Sequence, residues 1–314
     1  MNKNSQVIVI VGPTASGKTE VSIKLAKRFN GEIISADSRQ FYERMDIGTA
    51  KPTNSELSQV PHHLINVAQP EDIWSLARFK KAAMECIEDI HSRKKIPFVV
   101  GGTGQYIWGM IEGWTIPSEP VDQNLRIALE KWAEDLGPQG IHEVVSRLDP
   151  EAGKFIQIEN VRRSIRALEV IFSSGQRFSA QRMKQPPEDL DFIILGIEWD
   201  RPALYQRVDL RIETMLNIGL VEEVRSLINS GIDPESPALS AIGYREITGY
   251  LTGKHSLDDA VMLIKRNTRQ YIRRQANWFK KDDPRITWFP AGDDLADRME
   301  QFLTNLNLSP ASSS

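Results

Sequence analysis

With one cysteine, Cys86, in 314 residues, the chain can form no intramolecular disulfide and no cysteine-rich metal site. Nor is there an excess of basic residues to announce nucleic acid. Lys and Arg number 39 against 42 Asp and Glu, a net charge of −3, so any surface for a polyanion must be a local patch. No apolar run approaches the roughly 20 residues of a membrane span. The first one, Val7 to Val11 behind the polar start MNKNSQ, is too short for a signal peptide, so a cytoplasmic protein without membrane association is expected. Histidines are few. His62 and His63 are adjacent, point opposite ways if extended, and have no His or Cys cluster beside them, which favours packing or loop hydrogen bonding over a metal site. His91, His142 and His255 are expected at the surface. There is no internal repeat, and the only low-complexity segment is the polar tail SPASSS after Leu308, expected to be disordered. What remains is 40% apolar and 26% charged, an ordinary globular composition long enough for one large domain or two modest ones.

Short β-branched runs alternate with helical periodicity in the first third. Gln6 to Val11 reads as a buried parallel strand ending at Gly12. Val21, Leu25 and Phe29 then recur four apart, and Gly31 stops the helix. Glu32 to Ala36 is a second strand, followed by a loop rich in Pro, Gly and Asn from about 45 to 72. A helix over about 75–93 places Leu76, Phe79, Ala83 and Ile87 on one face. Ile96 to Val100 is a third strand, running into Gly101-Gly102. This alternation predicts an α/β fold: a P-loop parallel sheet core wound with helices. From about Ile116 the pattern changes to helices only, among them Leu125 to Leu136 and Val161 to Ser173. Strand character returns at Phe192 to Trp199, helices dominate from Pro202 to Lys281, and a last strand is expected at Ile286 to Phe289. The expected domains are therefore a core of 1–116 and 191–305, an all-helical insertion of 117–190, and a tail of 306–314.

Gly12-Pro13-Thr14-Ala15-Ser16-Gly17-Lys18-Thr19 fits G-x-x-x-x-G-K-[ST], and it sits between a strand and an amphipathic helix as a phosphate-binding loop must. Its amides and the helix N-terminus face an anion. Lys18 adds charge, and Thr19 offers a hydroxyl to Mg²⁺, with Asp37 as a possible second ligand. The alternative is an unremarkable glycine turn. The motif does not say which phosphate compound binds. A nucleoside-triphosphatase would offer a strand ending in Asp for Mg²⁺, whereas the third strand ends in Gly101-Gly102-Thr103-Gly104. The strand-tip carboxylate is Asp37, which should face the same crevice, unless it serves only to cap the next helix.

These features resemble one family, the tRNA dimethylallyltransferases, also called tRNA isopentenyltransferases. The resemblance rests on GPTASGKT (12–19), SADSRQFYERMDIGTAKP (35–52), PHHLI (61–65), VVGGTGQY (99–106), RALEV (166–170), AIGYREI (241–247) and RQYIRRQANWF (269–279). Arg162-Arg163 departs from the Gln-Arg that the family often has there. The resemblance implies that the loop holds the diphosphate of dimethylallyl diphosphate rather than ATP, while the loop motif makes Mg²⁺ the expected cofactor. It implies that Asp37 is the general base, Thr103 a substrate contact, Arg211 an arginine that reaches the diphosphate, and Arg126 one that contacts tRNA from the insertion. The partners would be tRNA and dimethylallyl diphosphate, and a monomer is expected. Residues expected to meet tRNA are Asp37, Ser38, Arg39, Gln40, Thr103, Arg126, Arg162, Arg163, Arg166, Gly243, Tyr244, Arg245, Lys265, Arg269, Arg273, Arg274, Gln275 and Trp278.

Two basic clusters add to this. Met262 to Lys281 carries Lys265, Arg266, Arg269, Arg273, Arg274, Lys280 and Lys281 and no acid, behind a capping box of Ser256 and Asp259. Lys265, Arg269 and Arg273 form an i, i+4 stripe, with Leu263, Ile264, Tyr271 and Trp278 packing inward opposite them. A charge run is usually a solvated face, so the stripe alone does not establish RNA contact. Arg162, Arg163 and Arg166 form the second cluster, and the two could clamp an RNA hairpin. Arg207 and Arg211, four apart on the helix starting at Pro202, point the same way, as lid arginines over phosphates would. Three other functions compete: an adenylate isopentenyltransferase, which needs no RNA clamp; a small-molecule P-loop kinase, which needs the missing aspartate strand; and a non-catalytic RNA-binding protein, which needs neither Asp37 nor the loop.

Overall fold

Every residue of β1, Gln6–Val11, is buried, as a β-branched run must be in the middle of a parallel sheet covered on both faces. The computed structural model describes residues 5–115, 122–182 and 184–308. After β1 come α1 (Lys18–Arg28), β2 (Gly31–Ser35), α2 (Asn54–Leu57), β3 (His62–His63), α3 (Leu76–Ser92), β4 (Ile96–Gly101) and α4 (Gly104–Ile111). Three helices follow: α5 (Gln123–Leu148), α6 (Pro150–Phe155) and α7 (Val161–Ser174). Then come β5 (Asp191–Glu198), α8 (Arg201–Asn217), α9 (Leu220–Asn229), α10 (Tyr244–Leu251), α11 (Leu257–Trp278), β6 (Ile286–Pro290) and α12 (Leu295–Asn305). Among the described residues the sheet has six strands in the order β3-β2-β4-β1-β5-β6, all parallel. This is the α/β fold class that the sequence implied. β1 pairs with β4, Val11 opposite Gly101, and with β5, Gln6 opposite Asp191.

The chain divides into two compact units, residues 1–107 with 188–314, and residues 108–187. The change of pattern along the sequence puts these limits at 116/117 and 190/191, and residues 116 and 117 lie outside the described ones. In the first unit Val21, Leu25 and Phe29 of the α1 segment pack with Ile8, Ile10, Phe98 and Leu195 of the strands. In the second, Leu129, Ala133, Ile141, Val145, Ile165 and Leu168 form a separate core. Its longest helix, α5, is broken at Gly137, where φ is 66°, ahead of Pro138. Buried Asp149 caps α6 and also accepts from Ser179 N and Oγ, both at 2.7 Å. Burial alone would raise its pKa, but these donors hold it below the ordinary value.

Some local expectations fail for physical reasons. The 45–72 stretch is not all loop. It contains α2, with a Thr53–Glu56 capping box, and the two-residue edge strand β3. His63 Nε2 meets Glu32 Oε2 at 2.7 Å, and His62 Nδ1 meets Val60 O at 2.8 Å, so both histidines serve packing as expected. Glu32 is nearly fully buried. Burial opposes its charge, but Arg93, Lys95 and His63 hold its pKa down to about 2. The other histidines are not surface residues. His91 meets Gln6 O, His142 meets Gly153 O and Ile156 O, and His255 meets Glu246 O, each half-buried against a carbonyl that needs a donor. The tail does not loosen at 306: Leu308 is buried in the first unit's core, and 309–314 lie outside the described residues.

Candidate active site

Three strand ends open on one crevice. β1 delivers the phosphate loop, β2 delivers Asp37 and β4 delivers Gly101 to Thr103. Lys18, Thr19, Ser35, Asp37 and Gln40 line a common cleft there. Gly17 holds φ at 89° to start α1, a conformation that favours glycine. Lys18 Nζ donates to the carbonyls of Gly12 and Pro13 at 3.1 and 2.7 Å. Burial lowers its pKa from 10.5 to about 8; the Asp37 charge pulls it up and Arg211 pushes it down. Arg211 is likewise lowered by burial, raised by Asp37 and lowered by Arg207. Lys18, Asp37 and Arg211 therefore share one field with an excess of positive charge, which favours an anion.

The loop is braced from outside. Trp199 Nε1 donates to Ser16 O at 3.1 Å, and Arg207 Nε donates to Ala15 O at 3.1 Å. The Arg207 guanidinium also lies 4.7 Å over the Trp199 ring. Arg207 and Arg211 thus both face the loop, one as an exposed brace and the other half-buried beside Asp37. The hydroxyl of buried Ser16 has no hydrogen-bond partner. Asp37 caps no helix. Its Oδ1 accepts from Arg39 N at 3.0 Å in a local turn, and turns follow rather than a helix. Thr103 Oγ1 accepts from Ser38 N at 3.3 Å, and the Tyr271 side chain hydrogen-bonds the same threonine. Burial and the Asp37 charge push the Tyr271 phenol up to about 12. Trp199 and Tyr271 were not recognised as site residues. The one signal was that Tyr271 and Gln275 lie four apart on one helix.

Several residues expected to meet tRNA are engaged by partners within the protein. Gln40 Oε1 accepts from Ser35 Oγ at 2.9 Å. Arg39 donates to Pro237 O and Ser240 Oγ. Tyr244 is fully buried, and its hydroxyl donates to Glu223 Oε1 at 2.5 Å. Glu223 also gathers the amides of Asp46, Ile47 and Gly48. Burial first, and then the Glu223 charge, raise the Tyr244 pKa. Gly243 N donates to buried Glu246, which also accepts from exposed Arg245. Gln275 is buried at the loop and not at the surface.

The basic stripe of α11 is also only partly open, although its Ser256–Asp259 capping box forms as expected. Lys265 Nζ pairs with Glu213 at 2.9 Å, and Arg269 pairs with Asp209 at 2.6 Å, both acids on α8. Arg273 and Arg274 are exposed. Trp278 is 40% exposed, with its Cβ and part of its indole ring packed against Gly104. In the second unit, Arg126 and Arg166 both donate to buried Glu169, at 3.0 and 3.1 Å. Arg162 and Arg163 are exposed, the latter with its guanidinium 5.7 Å over Phe155.

The family described as IPP transferase matches residues 40–282, and that described as isopentenyl transferase matches residues 5–70. The chain is 42% identical over 308 residues to a tRNA dimethylallyltransferase of Thermomicrobium roseum, covering 96% of this chain and 93% of the relative. It is 43% identical over 298 residues to one of Roseiflexus, covering 95% and 96%. Among solved structures, the full-length tRNA isopentenylpyrophosphate transferase of Bacillus halodurans superposes with a TM-score of 0.72 at 38% identity, covering 96% of each chain. A eukaryotic dimethylallyltransferase acting on tRNA gives a TM-score of 0.82 at 30% identity, covering 99% of this chain and 81% of that one.

Proposed function

The chain belongs to the IPP transferase family, and from that premise we propose that it transfers a dimethylallyl group from dimethylallyl diphosphate to tRNA. The acceptor is the exocyclic amine of the adenosine 3′ of the anticodon, and diphosphate is released. The observation that carries this reading is the meeting of Lys18, Arg211 and Asp37 in one crevice. The diphosphate lies on the loop amides at the start of α1. As the bond between the allylic carbon and oxygen breaks, its electron pair goes to the leaving diphosphate, whose growing charge Lys18 and Arg211 stabilise. The adenine amine forms the new carbon–nitrogen bond and loses its proton to Asp37. Thr103, held between Ser38 and Tyr271, contacts the substrate. The adenosine must leave its stack to reach the crevice.

The site also fits Mg²⁺ brought with the diphosphate. Among the described residues no cluster of three or more metal-ligating side chains exists, but Thr19 and Asp37 line one cleft. Mg²⁺ commonly uses one or two protein oxygens together with phosphates and waters. It would supply further neutralisation of the leaving charge. Exposed Arg273 and Arg274 on α11, and Arg162 and Arg163 on α7, contribute phosphate contacts to tRNA. Among the described residues no helix is long and apolar enough to cross a membrane; a monomer acting in the cytoplasm completes the reading. Incubation with unmodified tRNA, Mg²⁺ and dimethylallyl diphosphate should yield a dimethylallyl adenosine by nucleoside mass spectrometry. Labelled AMP modified in place of tRNA, or no prenylated nucleoside at all, would reject it.

A further inference from the structure

One amide of the phosphate loop is withheld from any anion. Thr14 N–H donates to Oε1 of Gln275 at 3.0 Å, across 261 residues of sequence. The other end of the same carboxamide, Nε2, donates to Gly102 O at 3.0 Å. The partners force this orientation, because a backbone amide can only donate and a backbone carbonyl can only accept. Gln275 is 4% exposed, and its amide nitrogen packs so closely on Gly102 that any side chain there would collide with it. An acceptor oxygen thus sits on the Thr14 amide, where a phosphate oxygen would otherwise bind. The donors left to an anion lie at the other end of the loop, around Gly17, Lys18 and Thr19 at the start of α1.

Loops of this motif elsewhere cradle triphosphates, so the motif itself does not choose the length of the phosphate chain. We propose that Gln275 makes that choice: it closes the front of the loop to a third phosphate, so that the seat accepts a diphosphate and disfavours a triphosphate. Its acceptor oxygen repels an approaching anionic oxygen and removes the donor that a third phosphate needs, a device against the wrong ligand. The proposal rests on the diphosphate reading of the loop given above.

Calorimetric titration with inorganic pyrophosphate and with inorganic tripolyphosphate tests it, in Mg²⁺, on the wild-type chain, Gln275→Ser and Gln275→Glu. The wild type should prefer pyrophosphate. Gln275→Ser frees the Thr14 amide and should narrow that preference by about tenfold to a hundredfold, the effect of one hydrogen bond to a charged group. Gln275→Glu keeps the shape but puts a negative charge at the front of the loop, so it should weaken both ligands, tripolyphosphate more, and widen the preference. A residue that merely supports the helix would shift both affinities together and leave their ratio alone. An unchanged ratio in the folded variants, checked by thermal melting, overturns the role of Gln275. If Gln275→Ser does not fold, the isosteric Gln275→Glu decides by the same ratio. Failure of the wild type to bind pyrophosphate instead overturns the diphosphate reading, and this inference with it.

Discussion

Arg269 Nη2 lies 2.6 Å from Asp209 Oδ2, tying α11 to α8. The first helix carries Tyr271 and Gln275, and the second carries Arg207 and Arg211, so the pair fixes two sets of site residues against each other. Arg269 is more than a third exposed, so Arg269→Gln should cost no more than about 1 kcal/mol of stability. It should leave the salt dependence of tRNA binding nearly unchanged. Replacing exposed Arg273 and Arg274 with Gln should do the reverse, removing up to about 1.8 units of slope in log affinity against log salt. Filter binding across a salt series separates the two. A slope lost in Arg269→Gln and kept in the double variant would contradict the assignment.

Lys18 makes diphosphate binding sensitive to pH. Burial holds the pKa of its amine down to about 8, against 10.5 when solvated. Burying that charge costs stability below about pH 8. Between pH 8 and 10.5 the folded chain has given up a proton that the unfolded chain keeps, so stability without ligand should rise through this window. Affinity for pyrophosphate should move the other way, falling toward tenfold per pH unit above 8. Lys18→Ala should abolish prenyl transfer, lose this pH dependence and still bind tRNA. Calorimetry from pH 7 to 10 gives the profile, and a flat one in the wild type would contradict it.

Asp37→Asn keeps the shape and the turn to Arg39 N but cannot take a proton. Turnover should fall by about 10² to 10⁴, with little change in the affinity for tRNA. Single-turnover transfer at neutral pH measures this. Near-normal rates would leave Asp37 a positioning group only.

Tyr244→Phe removes the hydroxyl donated to Glu223 and leaves the three backbone amides to hold that carboxylate. A loss of about 1.5–3 kcal/mol is expected, with the Michaelis constant for tRNA unchanged. Urea unfolding and steady-state kinetics together decide. A raised Michaelis constant at full stability would return Tyr244 to the RNA surface.

What could be read from the sequence was what depends on neighbours along the chain. The strands at β1, β2, β4 and β5 are β-branched runs, and the phosphate loop is a local motif, so both were visible. β3 was not, because two residues carry no alternation, and it exists only through pairing with β2. Helical periodicity correctly grouped Lys265 and Arg269 on one face of α11. It could not show that Glu213 and Asp209 meet that face from 52 and 60 residues away. Tyr244 and Gln275 were misplaced for the same reason: the partners that bury them, Glu223 and Thr14, lie on other elements.

The pairing of β1 with β5 also has a consequence for synthesis. Gln6 must wait for Asp191, and at about 5–20 residues per second the delay on a ribosome is on the order of 10–40 s. Throughout that interval the nascent chain presents at least one open edge of a strand whose every residue will later be buried. Such an edge invites pairing with other chains. A polypeptide halted before residue 191 is therefore a sticky intermediate, and the yield of soluble protein should depend on how long translation lingers in the 108–187 segment.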